Sequence, residues 1–408
     1  MTSPLADAWL THLETVRWFG GKGAGARLIE LQALPWWTPA EVLPRVRSEI
    51  ATLAFGDGHH ENYQLLVAHH TERPTTGAVL GTISDEAGAE VFVTDATTDP
   101  AALAAFVAAT VPAHGDRPVA VWPGEQSNTT LTLGADDLYK LFRRIEPGPN
   151  LDAEVLVALK GVSVPQVRHR LVADWPEGIR SDLGIVIERV PQARDGWILA
   201  SSACAEGRDF TAEAVGLGRA LARVHAQLRE TFGTSVVPGD RLAEVMTARL
   251  DHALAVAPVL DQYADGLRSR FAVLHGREVA VQRVHGDFHL GQALLGREGW
   301  TIIDFEGEPA KTAAERRAPD AVWRDVAGML RSFDYARSAH ADPSGASATA
   351  WARDSRRAFC EGYCGSTTPD DILGAYEVDK AVYEVLYELR NRPDWVDIPL
   401  TAVHTAAS

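Results

Sequence analysis

Three cysteines in 408 residues, Cys204, Cys360 and Cys364, are too few for a disulfide framework, which removes the small secreted scaffolds and points to a reducing cytoplasm. Cys360 and Cys364 stand one helical turn apart in A-F-C-E-G-Y-C. That spacing suits two small core residues, since a structural zinc site wants four ligands. No apolar run approaches the roughly eighteen residues of a membrane span. The N-terminus, M-T-S-P-L-A-D-A-W-L, lacks a basic segment leading into an apolar core, so neither a span nor a signal peptide is expected. Positive charge is also short. A net charge of −16 argues against nucleic acid or an anionic membrane as a partner, because both require clustered Lys and Arg. What is present is ordinary for a soluble globular chain: 46% hydrophobic and 23% charged residues. The length allows two or three domains.

Residues 1–115 read as a separate unit, opening with an amphipathic helix (Leu5, Trp9, Leu10, Leu13) and continuing through strand-like stretches such as Y-Q-L-L-V-A-H-H and A-E-V-F-V-T. The glycine-rich R-W-F-G-G-K-G, Arg17 to Gly23, lacks the spacing and the following Ser or Thr of a phosphate loop, and a helix precedes it. It reads as a turn that sets Trp18 and Phe19 into a core. From Val119, V-A-V-W-P, E-Q-S-N-T-T-L-T-L and D-L-Y-K-L-F-R-R-I predict an antiparallel meander. Lys140 lies in its third strand on the face of Leu138 and Phe142, and a lysine placed inward needs an anionic partner. Glu154, in the next helix (about Leu151 to Leu159), is the candidate, because a strand Lys held by a helix Glu is how kinase-like folds position a phosphate-binding lysine. The turn before it, with Gln126, Ser127 and Asn128, is then expected to cover nucleotide phosphates. The strand I-V-I-E-R-V, with Glu188 and Val190, is expected to present backbone groups to the adenine.

The remainder reads as mostly helical, with one helix carrying Leu217, Leu221, Val224 and Leu228, a second at about 240–275, and a small-residue loop at 341–349. His225 flanks the first stripe as a structural histidine. Between these helices the stretch V-Q-R-V-H-G-D-F-H-L-G-Q packs His285, Asp287, His289 and Gln292 around two glycines, a composition for a shaped loop and not a helix. A short apolar run, Trp300 to Ile303, ends on Asp304. Gln292 is five residues beyond Asp287, and Asp304 seventeen; phosphoryl-transfer enzymes space a catalytic Asp, a metal-binding amide and a strand-borne Asp in this manner. Asp287 is thus the candidate catalytic base, with Gln292 and Asp304 as ligands of Mg²⁺. His285 is expected to shape the loop and His289 to reach the acceptor. The rival, H-x-D-x-H as a transition-metal site for hydrolysis, leaves Lys140 and Asp304 unexplained. Asp325 either holds the loop through backbone bonds or caps its own helix. The last long helix carries Tyr376, Tyr383 and Tyr387, with Glu384 and Glu388 each directly after a tyrosine. It reads either as a core aromatic stripe beside a solvated acidic one, or as a carbohydrate site in which Tyr383 and Tyr387 stack on sugar faces. In the second reading Glu384, Glu388 and Arg390 bond hydroxyls and Trp395 adds a further face.

Together R-W-F-G-G-K-G, G-E-Q-S-N-T, L-Y-K-L-F-R-R, Q-R-V-H-G-D-F-H-L-G-Q, I-D-F-E-G-E-P, E-R-R-A-P-D and A-Y-E-V-D-K-A-V-Y-E resemble the actinobacterial maltokinases, sugar kinases of the aminoglycoside-phosphotransferase type in the protein-kinase-like superfamily. The resemblance spans nearly the whole chain. It implies an α+β, bilobal kinase-like fold with a β-rich N-lobe (116–192) and a mostly helical C-lobe (193–408), preceded by an N-terminal α/β cap domain (1–115). It implies a cytoplasmic enzyme that uses ATP and Mg²⁺ to convert maltose to maltose 1-phosphate for α-glucan synthesis, as a monomer, with a trehalose-converting enzyme as a possible associate. One departure stands out. The segment between D-G-W, Asp195 to Trp197, and A-E-A-V-G-L-G-R is shorter than in that family. The related glucosamine kinases share H-G-D-F-H and D-G-W but carry D-F-D-G-N-P where this chain has D-F-E-G-E-P. The alternatives are the same chemistry on glucosamine or an aminoglycoside, and a non-catalytic glucan-binding pseudokinase.

Overall fold

The structure, a computed structural model, describes residues 5–84, 88–124, 127–161, 163–308, 311–365 and 371–407. Contacts divide the chain into two compact units, Met1–Glu154 with Gln166–Arg189, and Val155–Pro165 with Val190–Ser408. The stretch expected as the cap falls in the first unit, together with the stretch expected as the β-rich lobe except for Val155–Pro165 and the residues from Val190 on.

The first unit is built on two antiparallel sheets. Strands β1 (Arg27–Trp36), β2 (Arg45–Ala54), β3 (His60–His70), β4 (Val79–Ser84) and β5 (Glu90–Asp95) run in the order β1-β2-β3-β5-β4. The second sheet takes β6 (Val119–Val121), β7 (Thr129–Leu133), β8 (Asp137–Leu141), β10 (Val167–Asp174) and β11 (Arg180–Glu188) in the order β10-β11-β8-β7-β6, while the two-residue β9 (Arg144–Ile145) pairs with β3. The meander expected from Val119 onward is present as β6, β7 and β8. Tyr63 through Ala68 of β3 are all buried, so this strand is covered on both faces. Tyr63, Leu65 and Val67 join Trp9 and Leu13 of the opening helix α1 (Ala6–Leu13) and Phe19 from the glycine-rich turn. The helix α2 (Pro100–Thr110), capped by Asp99, packs on β2.

Polar groups join the two sheets. Fully buried Gln64 donates from Nε2 to the carbonyls of Phe142 (2.7 Å) and Leu183 (2.8 Å) and accepts from the Ser48 hydroxyl at 2.8 Å. Next to it, buried Arg143 donates to the Gln64 carbonyl (3.1 Å) and to the hydroxyls of Thr129 (2.7 Å) and Thr97 (3.3 Å), with its guanidinium 4.3 Å from the Trp18 ring centre. Burial pushes the Arg143 guanidinium down to about 10, with Asp95 opposing, so it stays charged at neutral pH.

The helix α3 (Leu151–Ala158) leads toward the second unit, where α4 (Gly196–Ala205), α5 (Thr211–Phe232), α6 (Gly239–Val256), α7 (Ala264–Phe271), α8 (Ala313–Arg317), α9 (Trp323–Arg337), α10 (Ala346–Cys364), α11 (Asp371–Asn391) and α12 (Asp397–Ala407) surround two small sheets. The sheets comprise β12 (Arg194–Asp195), β15 (Ala293–Gly296) and β16 (Gly299–Ile302), and β13 (Thr234–Pro238) with β14 (Glu278–Gln282). The helix expected over 240–275 is two. Pro258 supplies no N–H and forces Ala257 out of the helical region (φ −133°), and a 3₁₀ turn over Pro258–Tyr263 intervenes. The expected loop at 341–349 is also shorter, because Ala346–Thr349 are small but helix-compatible residues and open α10. Helices α5 and α10 touch backbone to backbone: a Cβ on Gly218 would lie 2.2 Å from the Phe359 carbonyl, and one on Gly362 2.2 Å from that of Val215. No helix among the described residues is long and apolar enough to cross a membrane.

Replacing Gln64 with Leu should leave the Phe142 carbonyl buried without its donor and the Ser48 hydroxyl without its acceptor. A loss of about 1–3 kcal/mol is expected for such an orphaned pair, read as a lowered urea midpoint at unchanged slope.

Candidate active site

The hairpin β15–β16 sets the first pair of groups. Its register aligns Ala293 with Ile302, so the flanking residues Gln292 and Ile303 also meet, and the Ile303 N–H donates to the Gln292 carbonyl at 3.0 Å. One residue on, Asp304 adopts a left-handed backbone (φ +67°), sparsely populated outside glycine but accessible to Asp. Gln292 Nε2 lies 3.2 Å from Asp304 Oδ2. Residues twelve apart in sequence are thereby placed as a pair. Their amide and carboxylate oxygens are the hard donors that a divalent cation such as Mg²⁺ takes.

The loop before this hairpin is held by one buried carboxylate. Asp325, in the first turn of α9 and fully buried, accepts the N–H of His285 at Oδ2 (2.7 Å) and that of Gly286 at Oδ1 (2.8 Å). His225 Nε2 contacts Oδ2 at 2.9 Å, and its Nδ1 meets the Tyr363 hydroxyl at 2.8 Å. Of the two roles open to Asp325, the loop-holding one is seen, and His225 is its structural partner. Burial alone would raise this carboxyl, but the hydrogen bond and charge of His225 together with the loop N–H group hold it below the usual range. His285 extends the same device. Its Nε2 lies 2.9 Å from the Ile303 carbonyl and its Nδ1 3.4 Å from the Asp287 N–H, so the ring links the loop to the strand end that carries Asp304. With both nitrogens engaged, His285 is not a metal ligand, and the H-x-D-x-H reading lapses. His289 accepts the Gly291 N–H at Nδ1 (3.1 Å), and burial lowers its pKa from the ordinary value. The Phe288 carbonyl approaches α9 so closely that a Cβ on Gly328 would lie 2.6 Å from it.

Asp287, which this framework positions, lines a cavity of about 180 Å³. Lys380 of α11 places its ammonium 3.5 Å from Asp287 Oδ1. Arg324 donates from Nε to the Gly286 carbonyl (3.1 Å) and from Nη2 to Glu308 (2.5 Å), and Lys311 Nζ is 3.6 Å from the same carboxylate. Arg249 clasps Asp379 through two bonds of 2.9 and 2.7 Å. Three carboxylates thus face four cations around the cavity, with Tyr376 and Tyr383 completing its wall. Burial raises Asp379 and Tyr383 and lowers Lys311 from their ordinary values.

Tyr383 thus lines the same cavity as Asp287, and Tyr387 stacks beside it at 6.4 Å, exposed. The acidic stripe differs from expectation. Glu384 is buried against Arg331 Nε (2.8 Å), and Glu388 is buried between the Tyr335 hydroxyl (2.9 Å) and Arg392 (2.9 and 2.7 Å). Neither faces solvent, because an ionised carboxylate enters a helical core only with its cation. Trp395 stacks on Tyr335 at 6.2 Å, and Arg390 is exposed. Lys380 was the residue missed. It extends the stripe Tyr376–Lys380–Tyr383–Tyr387 at helical spacing, a signal present in the sequence alongside the tyrosine–glutamate pairs.

In the first unit, Lys140 Nζ lies 2.9 Å from Asp152 Oδ2. Glu154, expected as a partner of this lysine, lies half-buried two residues further along the same helix. Asn128 Oδ1 accepts the Arg143 N–H at 3.0 Å, beside Ser127. Gln126 lies outside the described residues. Glu188 ends β11 and pairs with Arg168 at 3.2 Å, and Val190 opens the second unit, beside Gly296.

A two-sheet unit and a helical unit bearing this loop and hairpin make a kinase-like phosphotransferase fold. A solved glucosamine kinase in complex with glucosamine, ADP and inorganic phosphate superposes over 99% of both chains with a TM-score of 0.64 at 21% identity, and a second crystal form over 93% of both with 0.66. More particularly, residues 12–99 match the maltokinase N-terminal cap domain family. Among characterised relatives, the glucosamine kinase of Streptacidiphilus jiangxiensis is 29% identical over 340 residues, 74% of this chain and 76% of that one. The glucosamine kinase of Mycolicibacterium smegmatis is 25% identical over 323 residues, 71% and 79% of the two chains.

Asp325→Ala should cost roughly 3–5 kcal/mol, since it strands two N–H groups and the ring of His225 in the interior. The pH dependence has a definite sign. A carboxyl that titrates lower when folded stabilises the protein above its unfolded value, near 4, and that stabilisation is lost as pH falls through the folded value. Denaturation curves from pH 7 to pH 3 should therefore fall more steeply for the parent than for Asp325→Asn.

Proposed function

We propose that the chain transfers the γ-phosphoryl group of ATP to the anomeric hydroxyl of maltose, giving maltose 1-phosphate and ADP for α-glucan synthesis. Asp287 orients that hydroxyl and accepts its proton. Gln292 and Asp304 hold Mg²⁺, whose role is to neutralise phosphate charge. In the first unit Lys140, held by Asp152, serves the phosphates, with Ser127 and Asn128 in the turn above and the backbone near Glu188 and Val190 for the adenine. Such chemistry is mostly positioning and electrostatics, which suits a loop fixed by Asp325 and His285. His289 Nε2, without a partner among the described residues, is directed to a sugar hydroxyl.

The observation that carries the choice of sugar is the pairing of every carboxylate in the cavity. Asp379 is bound by Arg249, Glu308 by Arg324, and Asp287 is approached by Lys380. An amino sugar brings an ammonium group that requires an uncommitted anion, whereas a neutral, hydroxyl-rich sugar finds donors and acceptors already held in place. The reacting ring occupies the cavity beside Tyr383, and the second ring extends over exposed Tyr387. Glucosamine is the second reading, favoured by the relatives' activity. Cap-domain similarity and charge pairing favour maltose.

Coupled ATP-consumption assays with maltose, glucosamine and kanamycin decide the matter. A kcat/KM for maltose at least tenfold above the others is expected; preference for glucosamine sinks the charge argument, and no ATP consumption with any sugar favours a non-catalytic glucan binder. Asp287→Asn should lower kcat by at least about a hundredfold, the scale of a lost general base. Near-parental turnover in that variant would remove Asp287 from the mechanism.

A further inference from the structure

A second cavity, of about 400 Å³, opens among α9, α10, α11 and α12. It uses another side of α11 from the catalytic cavity: Tyr376, Asp379, Lys380 and Tyr383 line the first, and Gly374, Glu377, Val378 and Ala381 line the second. Its charged wall is Arg270, Arg331, Arg337 and Arg356 against Asp334 and Glu377. Both acids are already committed. Asp334 Oδ2 accepts from Arg331 Nη1 (2.7 Å) and Arg356 Nη1 (3.1 Å), and Glu377 accepts from Arg356 Nη2 (2.6 Å). The remaining neighbouring carboxylate, Glu384, takes Arg331 Nε.

Donors are left over. Arg331, only 2% exposed, has no acceptor for Nη2 among the described residues. The half-buried Arg337 guanidinium makes no hydrogen bond or ion pair among the described residues, and exposed Arg270 uses only Nε, on the Ala406 carbonyl at 2.6 Å. In a chain of net charge −16, a concave surface with surplus guanidinium groups and no uncommitted carboxylate among its described lining residues is unlike its surroundings.

We propose that this second cavity binds a small phosphate-bearing anion. Guanidinium forks match phosphate oxygens two at a time, and several converging arginines suit a group with three equivalent oxygens. The volume lies within the roughly 300–1,000 Å³ of small-molecule sites, room for a phosphorylated sugar and not only the bare ion. The proposal does not depend on which sugar the catalytic cavity accepts. Because the two cavities share α11, an occupant of one lies a single helix away from Lys380 and Asp287.

Calorimetric titration of the full chain with glucose 1-phosphate, and separately with inorganic phosphate, tests this. One-site binding is expected in the parent and in Asp287→Asn alike, weakened at least tenfold by Arg337→Glu, with an intermediate loss for Arg337→Lys, which keeps the charge but not the fork. Arg270→Glu, at an exposed position, carries the same test should Arg337→Glu lower the thermal midpoint. Tighter binding of glucose 1-phosphate than of phosphate identifies a phosphorylated metabolite as the occupant, and the reverse order the free ion. No binding of either probe to the parent overturns the proposal. Binding that survives both arginine changes and is lost in Asp287→Asn also overturns it, by assigning the anion to the catalytic cavity.

Discussion

The geometry of the helical unit depends on a negative charge removed from water. Asp325 is buried, and an ionised carboxylate there is tolerable only because the N–H groups of His285 and Gly286 and the ring of His225 surround it. The dependence runs both ways. The loop requires an acceptor for two N–H groups that no regular element satisfies, and the carboxylate requires donors that only a loop of this shape supplies. His285 then carries the constraint to the carbonyl of Ile303, beside Asp304. Asp287 and the Gln292–Asp304 pair, on different segments, are thereby fixed by a single network, the kind of preorganisation that the proposed phosphoryl transfer would rely on.

The helix α11 shows a second use of paired charge. Its acidic residues do not form a negative surface. Glu377, Asp379, Glu384 and Glu388 each meet an arginine from another element or from the next turn. Such pairs add little to stability, because desolvation offsets the attraction. They do fix which side chains face which space. With the acids turned to their partners, Lys380, Tyr383 and Tyr387 are left on the side of Asp287.

Much of this was legible in the residues. The alternation of short apolar runs after Val119 announced a meander, the glycines between His285 and Gln292 a shaped loop, and the run Trp300 to Ile303 a strand ending beside Asp304, because these signals are local; the pairing of that strand with Ala293–Gly296 was not among them. What was hidden is what depends on partners distant in sequence. Nothing near Lys140 announced Asp152 as a carboxylate beside it, since a helix offers Asp152 and Glu154 within one turn. The acidic stripe of α11 looked solvated because Arg331 is fifty-three residues from Glu384. Pro258 was visible and was outweighed by the apolar pattern on either side of it, although its missing N–H decides the outcome. The roles of Arg249, Arg324 and Lys311 follow only from the cavity they surround.

The contact between Gln64 and the carbonyls of Phe142 and Leu183 has a consequence for evolution of the chain. A domain appended to a finished enzyme usually meets it through side chains that either partner can exchange. Here the cap sheet inserts an amide into backbone positions of the neighbouring sheet, and Arg143 returns the arrangement through the Gln64 carbonyl. Backbone carbonyls cannot be mutated away. Without the cap sheet they would have to be covered by something new, so the interior of the neighbouring sheet depends on that sheet being there.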